Sequence, residues 1–410
     1  MSLKRNIPLI YATDSLMWAR FFIPVLALFY IASQVPIAEF SIIMSVFALT
    51  ILVLEIPSGV VADMIGRKRT LLLSRAMYIM EIFILAFFNG FWPFLMAKVL
   101  SGIGVSLFSG TRSALLYETL KKLGREREHK RVSGNINIVT SISMAFVLII
   151  GAFLFSLDPK LPALASLPFV LFGFVLTFFL EEPYKPKGAS FRNAFRHLSE
   201  GLGHFRRNRA LKAIAIYSVP PAVAIHIAMS MSSFYLEAVL IPVSLIGVVA
   251  FVGSFFKVFG SRRADTLEDR IGEGGALYLM QALVIAGTFL MALMVPYVGA
   301  LVYLLIPLAA GFMEVLVNHY MNCHVVPTHR ATMLSIRNML DNLGIFILFP
   351  VVGYVTQSGT ITQSYSIVLF VMIAGLAAFQ LYRSRNSIRV STDTADAGRS
   401  KTKKKRSLSV

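Results

Sequence analysis

Twelve stretches of about 20 largely apolar residues run through this chain, each long enough to cross a hydrocarbon core as a helix. Their approximate limits are 7–32, 38–61, 70–90, 93–117, 133–157, 161–180, 210–236, 242–261, 275–295, 298–323, 332–356 and 362–382. Backbone in lipid must satisfy its own hydrogen bonds, so spans of this kind are helices, and glycine and proline within them are tolerated. Composition agrees: 56% of the 410 residues are hydrophobic and 15% charged, where soluble domains carry about 25% charged residues. An ordinary cytosolic enzyme, a disordered chain and a disulfide-stapled secreted domain are excluded. The single cysteine, Cys323, has no intramolecular partner. The first stretch follows Lys4 and Arg5 as a signal peptide would. It is too long for one, contains Asp14 and Arg20, and precedes no small-residue cleavage site. It reads as a retained helix.

The net charge of +18, from 39 Lys and Arg against 21 Asp and Glu, would suit a nucleic-acid binder if it were clustered. Instead it sorts by loop. Lys4 and Arg5, Arg67 to Arg69, the basic residues of 119–132, 181–212 and 262–273, Arg330 and those of 383–410 all fall in one alternate set. The opposite set holds Lys160 alone. An excess of Lys and Arg marks cytoplasmic loops, which predicts both termini inside and an even number of spans. The expectation is a multi-pass protein of a bacterial cytoplasmic membrane, monomeric, with no nucleic-acid partner.

The longest interior loop separates six spans from six. It divides the chain into an N-terminal bundle (1–182), a central loop (183–209), a C-terminal bundle (210–384) and a basic, disordered tail (385–410). The loop opens with Pro183 and Pro186. Phe191, Phe195, Leu198, Leu202 and Phe205 then recur at helical spacing among Arg192, Arg196, Arg206 and Arg207. A helix of this kind is suited to lie on anionic lipid headgroups, although a soluble tether between bundles fits equally. The tail's Lys403-Lys404-Lys405-Arg406 run is expected to reinforce topology, with binding of lipid headgroups as the alternative. A faint repeat links Ala62-Asp63-Met64-Ile65-Gly66-Arg67 to Glu268-Asp269-Arg270-Ile271-Gly272-Glu273. Two parallel six-helix halves are the architecture such an offset implies.

The segment Gly59-Val60-Val61-Ala62-Asp63-Met64-Ile65-Gly66-Arg67-Lys68-Arg69, between spans two and three, resembles the G-x-x-x-D-x-x-G-R-[KR] signature of the major facilitator superfamily. The degenerate copy after span eight, Tyr117-Glu118-Thr119-Leu120 ending span four, and Arg330-Ala331-Thr332-Met333-Leu334-Ser335 entering span eleven are similar to that superfamily too. Gly59 is expected to permit close helix approach and Gly66 a tight turn. The resemblance implies that Asp63 meets the N-terminus of span eleven and that Arg67 pairs with Glu118, so that Gly59, Asp63, Gly66, Arg67 and Glu118 form a conformational latch. Simple enforcement of orientation by Arg67 to Arg69 is the alternative.

Ionisable residues in a membrane are functional candidates by default. The family implies that spans one, four, seven and ten line a central cavity. On these spans lie Asp14, Arg20, Lys98, Arg112, His226, Glu314, Asn318 and His319. Arg20 and Glu314 rank first for substrate or proton coupling, with Glu314 expected to be the deepest acid of the second half. Asp341 on span eleven joins them, with Arg337 as its intrahelical partner. Glu55 and Glu81 rank lower, and Lys257 is expected to snorkel. There is no P-loop, H-E-x-x-H or CxxC pattern, and His319 and His324 are poorly spaced for joint ligation. Neither cofactor nor metal is expected. The resemblance implies a secondary active transporter working by alternating access, read here as proton-coupled efflux of small amphipathic compounds. Span five lacks the Gly-Pro motif of the family's drug/proton antiporters. The alternatives are proton-coupled uptake of an organic anion by Arg20, Lys98 and Arg112, and a membrane-embedded enzyme or receptor using Ser230 and His226.

Overall fold

A computed structural model describes residues 3–184, 188, 191–323, 325 and 330–386, and among them it contains helices and no strand. The first half comprises α1 (Asn6–Met17), α2 (Leu26–Ala32), α3 (Ile37–Ile65), α4 (Arg67–Phe87), α5 (Phe91–Lys122), α6 (His129–Leu157) and α7 (Leu161–Thr177). A connecting helix α8 (Phe191–Arg207) follows. The second half comprises α9 (Arg209–Ser230), α10 (Ser232–Ala238), α11 (Val243–Ala292), α12 (Val298–Tyr303), α13 (Leu305–Cys323), α14 (Arg330–Ser358) and α15 (Ile361–Asn386). Nine of the described helices are long and apolar enough to cross a membrane, and Ile23–Ala32 and Leu161–Thr177 are shorter apolar ones. The 50-residue α11 contains spans eight and nine, divided where Gly272 leaves helical geometry. Twelve crossings result, in two six-helix halves.

Span one is not one helix. Residues 18–22 form turns, followed by a 3-10 turn at Ile23–Val25. Pro24 has no amide to donate, and its ring crowds the carbonyl four residues back, at Arg20. Span seven breaks similarly at Met231, between α9 and α10. The faint sequence repeat is real in backbone terms: Gly66 (φ 96°) and Gly272 (φ 73°) both turn the chain in the left-handed region, where a Cβ is disfavoured. Elsewhere glycine serves packing. A Cβ on Gly311 would run into the Lys257 carbonyl, and one on Gly260 into that of Leu308. These two glycines let spans eight and ten approach closely.

The connecting helix corrects one expectation. Leu198, Leu202 and Phe205 do not face lipid headgroups but pack against the main apolar core. The helix lies against α3 and α14, one from each half, and Thr332 of α14 sits against Gly201. Phe195 and Pro186, like residues 387–410 of the tail, lie outside the described side chains.

The halves meet along pseudo-symmetric seams. At the end remote from the basic loops, the Ala27 and Leu28 amides donate to Ser233 Oγ at 3.2 and 3.4 Å. Ala27 and Ser233 are 206 residues apart, the offset that also separates Gly66 from Gly272, so the pseudo-twofold axis runs close to this contact. Spans two and eleven join through Ala38 N–H to Gln357 Oε1 (3.0 Å) and Ser45 Oγ to the Phe346 carbonyl (2.6 Å), with Gly353 seated on Ser41. The mates of Ser41 and Gly353 under the same offset are Gly247 and Val147. Gly247 does seat on the adjacent Leu148 carbonyl, joining spans eight and five.

Candidate functional site

The remote end is therefore closed on three seams, and the cleft between the halves opens toward the basic end. Beyond Leu148 and Gly247, spans five and eight no longer cover each other: Asn137, Ser141 and Ser254 are exposed, and no hydrogen bond among the described residues joins these two spans. Polar groups this deep in a membrane protein mark a water-accessible wall rather than a lipid face. Where the seams part lies a cavity of about 150 Å³ lined from both halves, by Ile23, Pro24, Met144, Met229, Tyr303 and Lys257 among others. Lys257 Nζ pairs with Glu314 Oε2 at 3.1 Å, and both side chains are about half exposed. One expectation changes here. Glu314 is not the most deeply buried acid of the second half but an open residue of the cleft, and Lys257, expected to snorkel, is its ion-pair partner.

The first half buries two ion clusters of the same design, one carboxylate between two cations. Glu81 on span three is fully buried. It accepts from Arg20 Nη2 at 2.8 Å and Lys98 Nζ at 3.2 Å, while Arg20 also stacks 4.0 Å from the Tyr78 ring centroid. Asp14 accepts from Arg75 Nη2 at 3.3 Å and Arg112 Nε at 2.6 Å. Arg75 further donates to Thr13 Oγ1 at 2.9 Å and to Thr177 Oγ1, and Arg112 to Asn137 Oδ1 at 3.1 Å. The break in span one places Arg20 toward spans three and four. Arg20, Lys98 and Asp14 thus point into the bundle rather than into the cleft, correcting their expected place on its wall. Arg112, through Asn137, alone among them reaches the cleft's edge.

The second half is more loosely charged. Arg337 donates to Asn318 Oδ1 at 3.0 Å and lies 3.7 Å from Asp341 Oδ2, while Asp341 Oδ1 is buried without a hydrogen-bond partner. His226 Nε2 is likewise buried and unpartnered, so Ser230 does not form a pair with it there. His319 lies 3.6 Å from Cys323 Sγ. His324 is outside the described residues, and no metal-ligating cluster occurs among those described.

At the basic end, Arg67 contacts Asp63 at 2.6 Å and Glu118 at 3.3 Å. Glu182, which sequence reasoning missed, receives the Arg67 and Lys68 amides at 2.8 Å each and so caps the positive N-terminus of α4. The start of span eleven, which Asp63 is expected to meet, lies partly outside the described residues. Nothing lies within 4 Å of a Cβ built on Gly59, so that glycine mediates no close approach here. The chain matches the family model described as Major Facilitator Superfamily over residues 9–324. The protein belongs to the major facilitator superfamily.

As a member of that superfamily it is a multi-pass membrane transporter rather than an enzyme. Its fold is similar to the nucleoside transporter NupG, with a TM-score of 0.79 for a point mutant of that transporter and 0.77 for another crystal structure. Both are 14% identical and cover 93% of this chain, which spans 100% and 99% of theirs. It is also similar to a bacterial homologue of the human lysosomal transporter Spinster, in an inward-facing and occupied conformation. That match has a TM-score of 0.65 and 14% identity, covering 93% of this chain and 96% of the other. No curated protein sequence matches. Glu81 and Arg75 are the residues that sequence reasoning undervalued. Acids are scarce in the first-half spans, so a charge-balance argument for Arg20 and Lys98 leads to Glu81.

Proposed function

We propose that this superfamily member exports small amphipathic molecules, coupled to protons, by rocking its halves about the cleft. One observation carries the reading: the cavity shared by the halves is walled largely by aliphatic, Pro, Met and Tyr side chains, with Ser232 and Ser254 among them, and its lining Lys257 is ion-paired to Glu314. Soft apolar walls accept varied hydrophobic bodies, and the ion pair orients one polar head. The basic loops support a cytoplasmic position for the open end, so substrate enters from inside. Uptake of an organic anion is less favoured, because Arg20 and Lys98 are committed to Glu81, and Arg75 and Arg112 to Asp14.

The test is thermal stabilisation of purified protein by a panel of lipophilic cations, amphipathic neutral compounds and organic anions, since a ligand stabilises the state it binds. Stabilisation by amphipathic compounds, followed by their uncoupler-sensitive uptake into inverted vesicles, is the expected result. Stabilisation by organic anions alone, or flux indifferent to the uncoupler, overturns it.

A further inference from the structure

The Lys257–Glu314 pair has no counterpart in the first half. Its mates under the 206-residue offset are Ile51 and Phe108, both apolar, so the pair is no part of the backbone plan that the halves share. Nor does the join between spans eight and ten depend on it. Gly260 and Gly311 already bring the two backbones together, and Ser261 Oγ donates to the Gly311 carbonyl at 3.2 Å. An ion pair with both side chains half exposed adds little to stability.

Its position gives it another use. Spans eight and ten both run from the remote end toward the basic end. The shared cavity is lined along span eight from Ala250 to Lys257, and along span ten by Tyr303 and Pro307. Lys257 is thus the lining residue of span eight nearest the basic end. Glu314 lies about two turns beyond Pro307, with Oε2 3.1 Å from Lys257 Nζ. The pair stands at the mouth of the cavity, and no other charged side chain lines it; the first half contributes only apolar ones. Arg337, which also reaches span ten, is held there by Asn318 and by Asp341 of its own span. Among the described residues, Lys257 and Glu314 ion-pair only with each other.

We propose that this pair receives a small zwitterion with adjacent charges and one apolar body, its anionic group on Lys257 and its cationic group on Glu314. This rests on the transport reading above and names the class of amphipathic molecule carried. The reason is charge balance. An anion that takes Lys257 leaves Glu314 unpaired, and a cation that takes Glu314 leaves Lys257 unpaired. Water screens the stranded charge while the cleft is open. Once the halves close over it, that charge is desolvated, which is strongly unfavourable. A zwitterion inserts between the two side chains, replaces one ion pair with two, and strands nothing. Its body then lies among Met144, Met229 and Tyr303. A cavity of about 150 Å³ holds roughly one benzene ring, which sets the size of the body.

The experiment uses the full chain in lipid nanodiscs and three compounds that share one phenyl body. These are phenylalanine, phenethylamine, which lacks the carboxylate, and hydrocinnamate, which lacks the ammonium. Thermal stabilisation is measured against concentration for each. The parent protein should respond to phenylalanine at a concentration at least about ten-fold below that needed of either ion. Glu314→Gln should move the preference to hydrocinnamate and Lys257→Met to phenethylamine. Both side chains are half exposed, so both variants should fold, and the parent series alone decides if one does not. Equal responses, a preference of the parent for either ion, no response to phenylalanine, or variants that keep the parent's order overturn the proposal. Such a failure beside stabilisation by other amphipathic compounds leaves the export reading standing. Selective stabilisation by phenylalanine with flux indifferent to an uncoupler overturns proton-coupled export and leaves the site's assignment in place.

Discussion

Replacing Glu81 with Gln keeps the shape of the side chain and removes the one negative charge between Arg20 and Lys98. Those cations lie 2.8 and 3.2 Å from its oxygens, and the three side chains are 10% exposed or less. At an effective dielectric of about 20, charges roughly 3 Å apart attract by about 5 kcal/mol, and two such pairs share this carboxylate. Desolvation offsets much of that gain in the intact cluster. It does not vanish when the acid is removed, because both cations stay buried, and breaking a buried pair costs about 3–5 kcal/mol. Glu81→Gln should therefore lose about 3–5 kcal/mol of stability, seen as a drop of roughly 4–6 °C in the temperature at which detergent-solubilised protein leaves the monodisperse peak on size exclusion. Glu81→Gln/Lys98→Met, which also removes one stranded cation, should recover a substantial part of the loss. If Glu81→Gln melts with the parent protein, or the double variant is worse than the single, the cluster is not the charge-compensated core described here.

Three further outcomes are expected from local geometry. Lys160 donates to the Leu85 and Phe88 carbonyls at the end of span three, at 2.9 and 2.7 Å. Lys160→Met should cost about 1–3 kcal/mol in thermal stability. Burial holds this ammonium below its ordinary value of 10.5, so the unfolded chain binds the proton more tightly, and the deficit should widen as pH rises toward 10.5. Gly66→Ala and Gly272→Ala each force a Cβ into the left-handed region and should each lose about 1–3 kcal/mol, while Gly59→Ala, with open space around it, should melt within a degree or two of the parent. Gly247→Ala drives a Cβ into the Leu148 carbonyl, prying open the remote end. In a Cys323→Ser background, a cysteine replacing the buried Ser233 should then react several-fold faster with a membrane-impermeant thiol reagent.

The crossings were legible in the sequence because each is a long apolar run, and the turn at Gly66 because a glycine after a helix carries a backbone reason. The direction in which a charged side chain points was not. Arg20, Lys98 and Asp14 were placed on the cavity wall from their span alone. A membrane span that is apolar on every face has no hydrophobic stripe from which its rotation can be read, and the unwinding at 18–22 rotates the remainder of span one. Glu314 misled for a related reason. Its position along span ten is deep, but depth in the bilayer is not burial when a cleft passes beside it.

The two halves share a backbone plan but not a distribution of charge, and the difference bears on which one does the chemistry. The first half ties spans one, three and four together with two shared carboxylates, each clamping a pair of cations inside the bundle. Separating those helices would strand buried charge, so this half is built to move as a unit. In the second half Glu314 and Lys257 stand open to the cleft, and buried polar atoms without partners occur in both halves, at Tyr30 Oη and Arg75 Nε as well as at Asp341 Oδ1 and His226 Nε2. Polar groups without partners are strongly disfavoured in a stationary core but useful where a ligand or a proton completes them in one state and not in another. On the proposed rocking mechanism, the charge-clamped first half is the frame against which the second half moves. Substrate discrimination should follow substitutions at Lys257, Glu314 and Asp341 far more than at Arg20 or Lys98, whose replacement lowers the amount of folded protein before it alters what is carried.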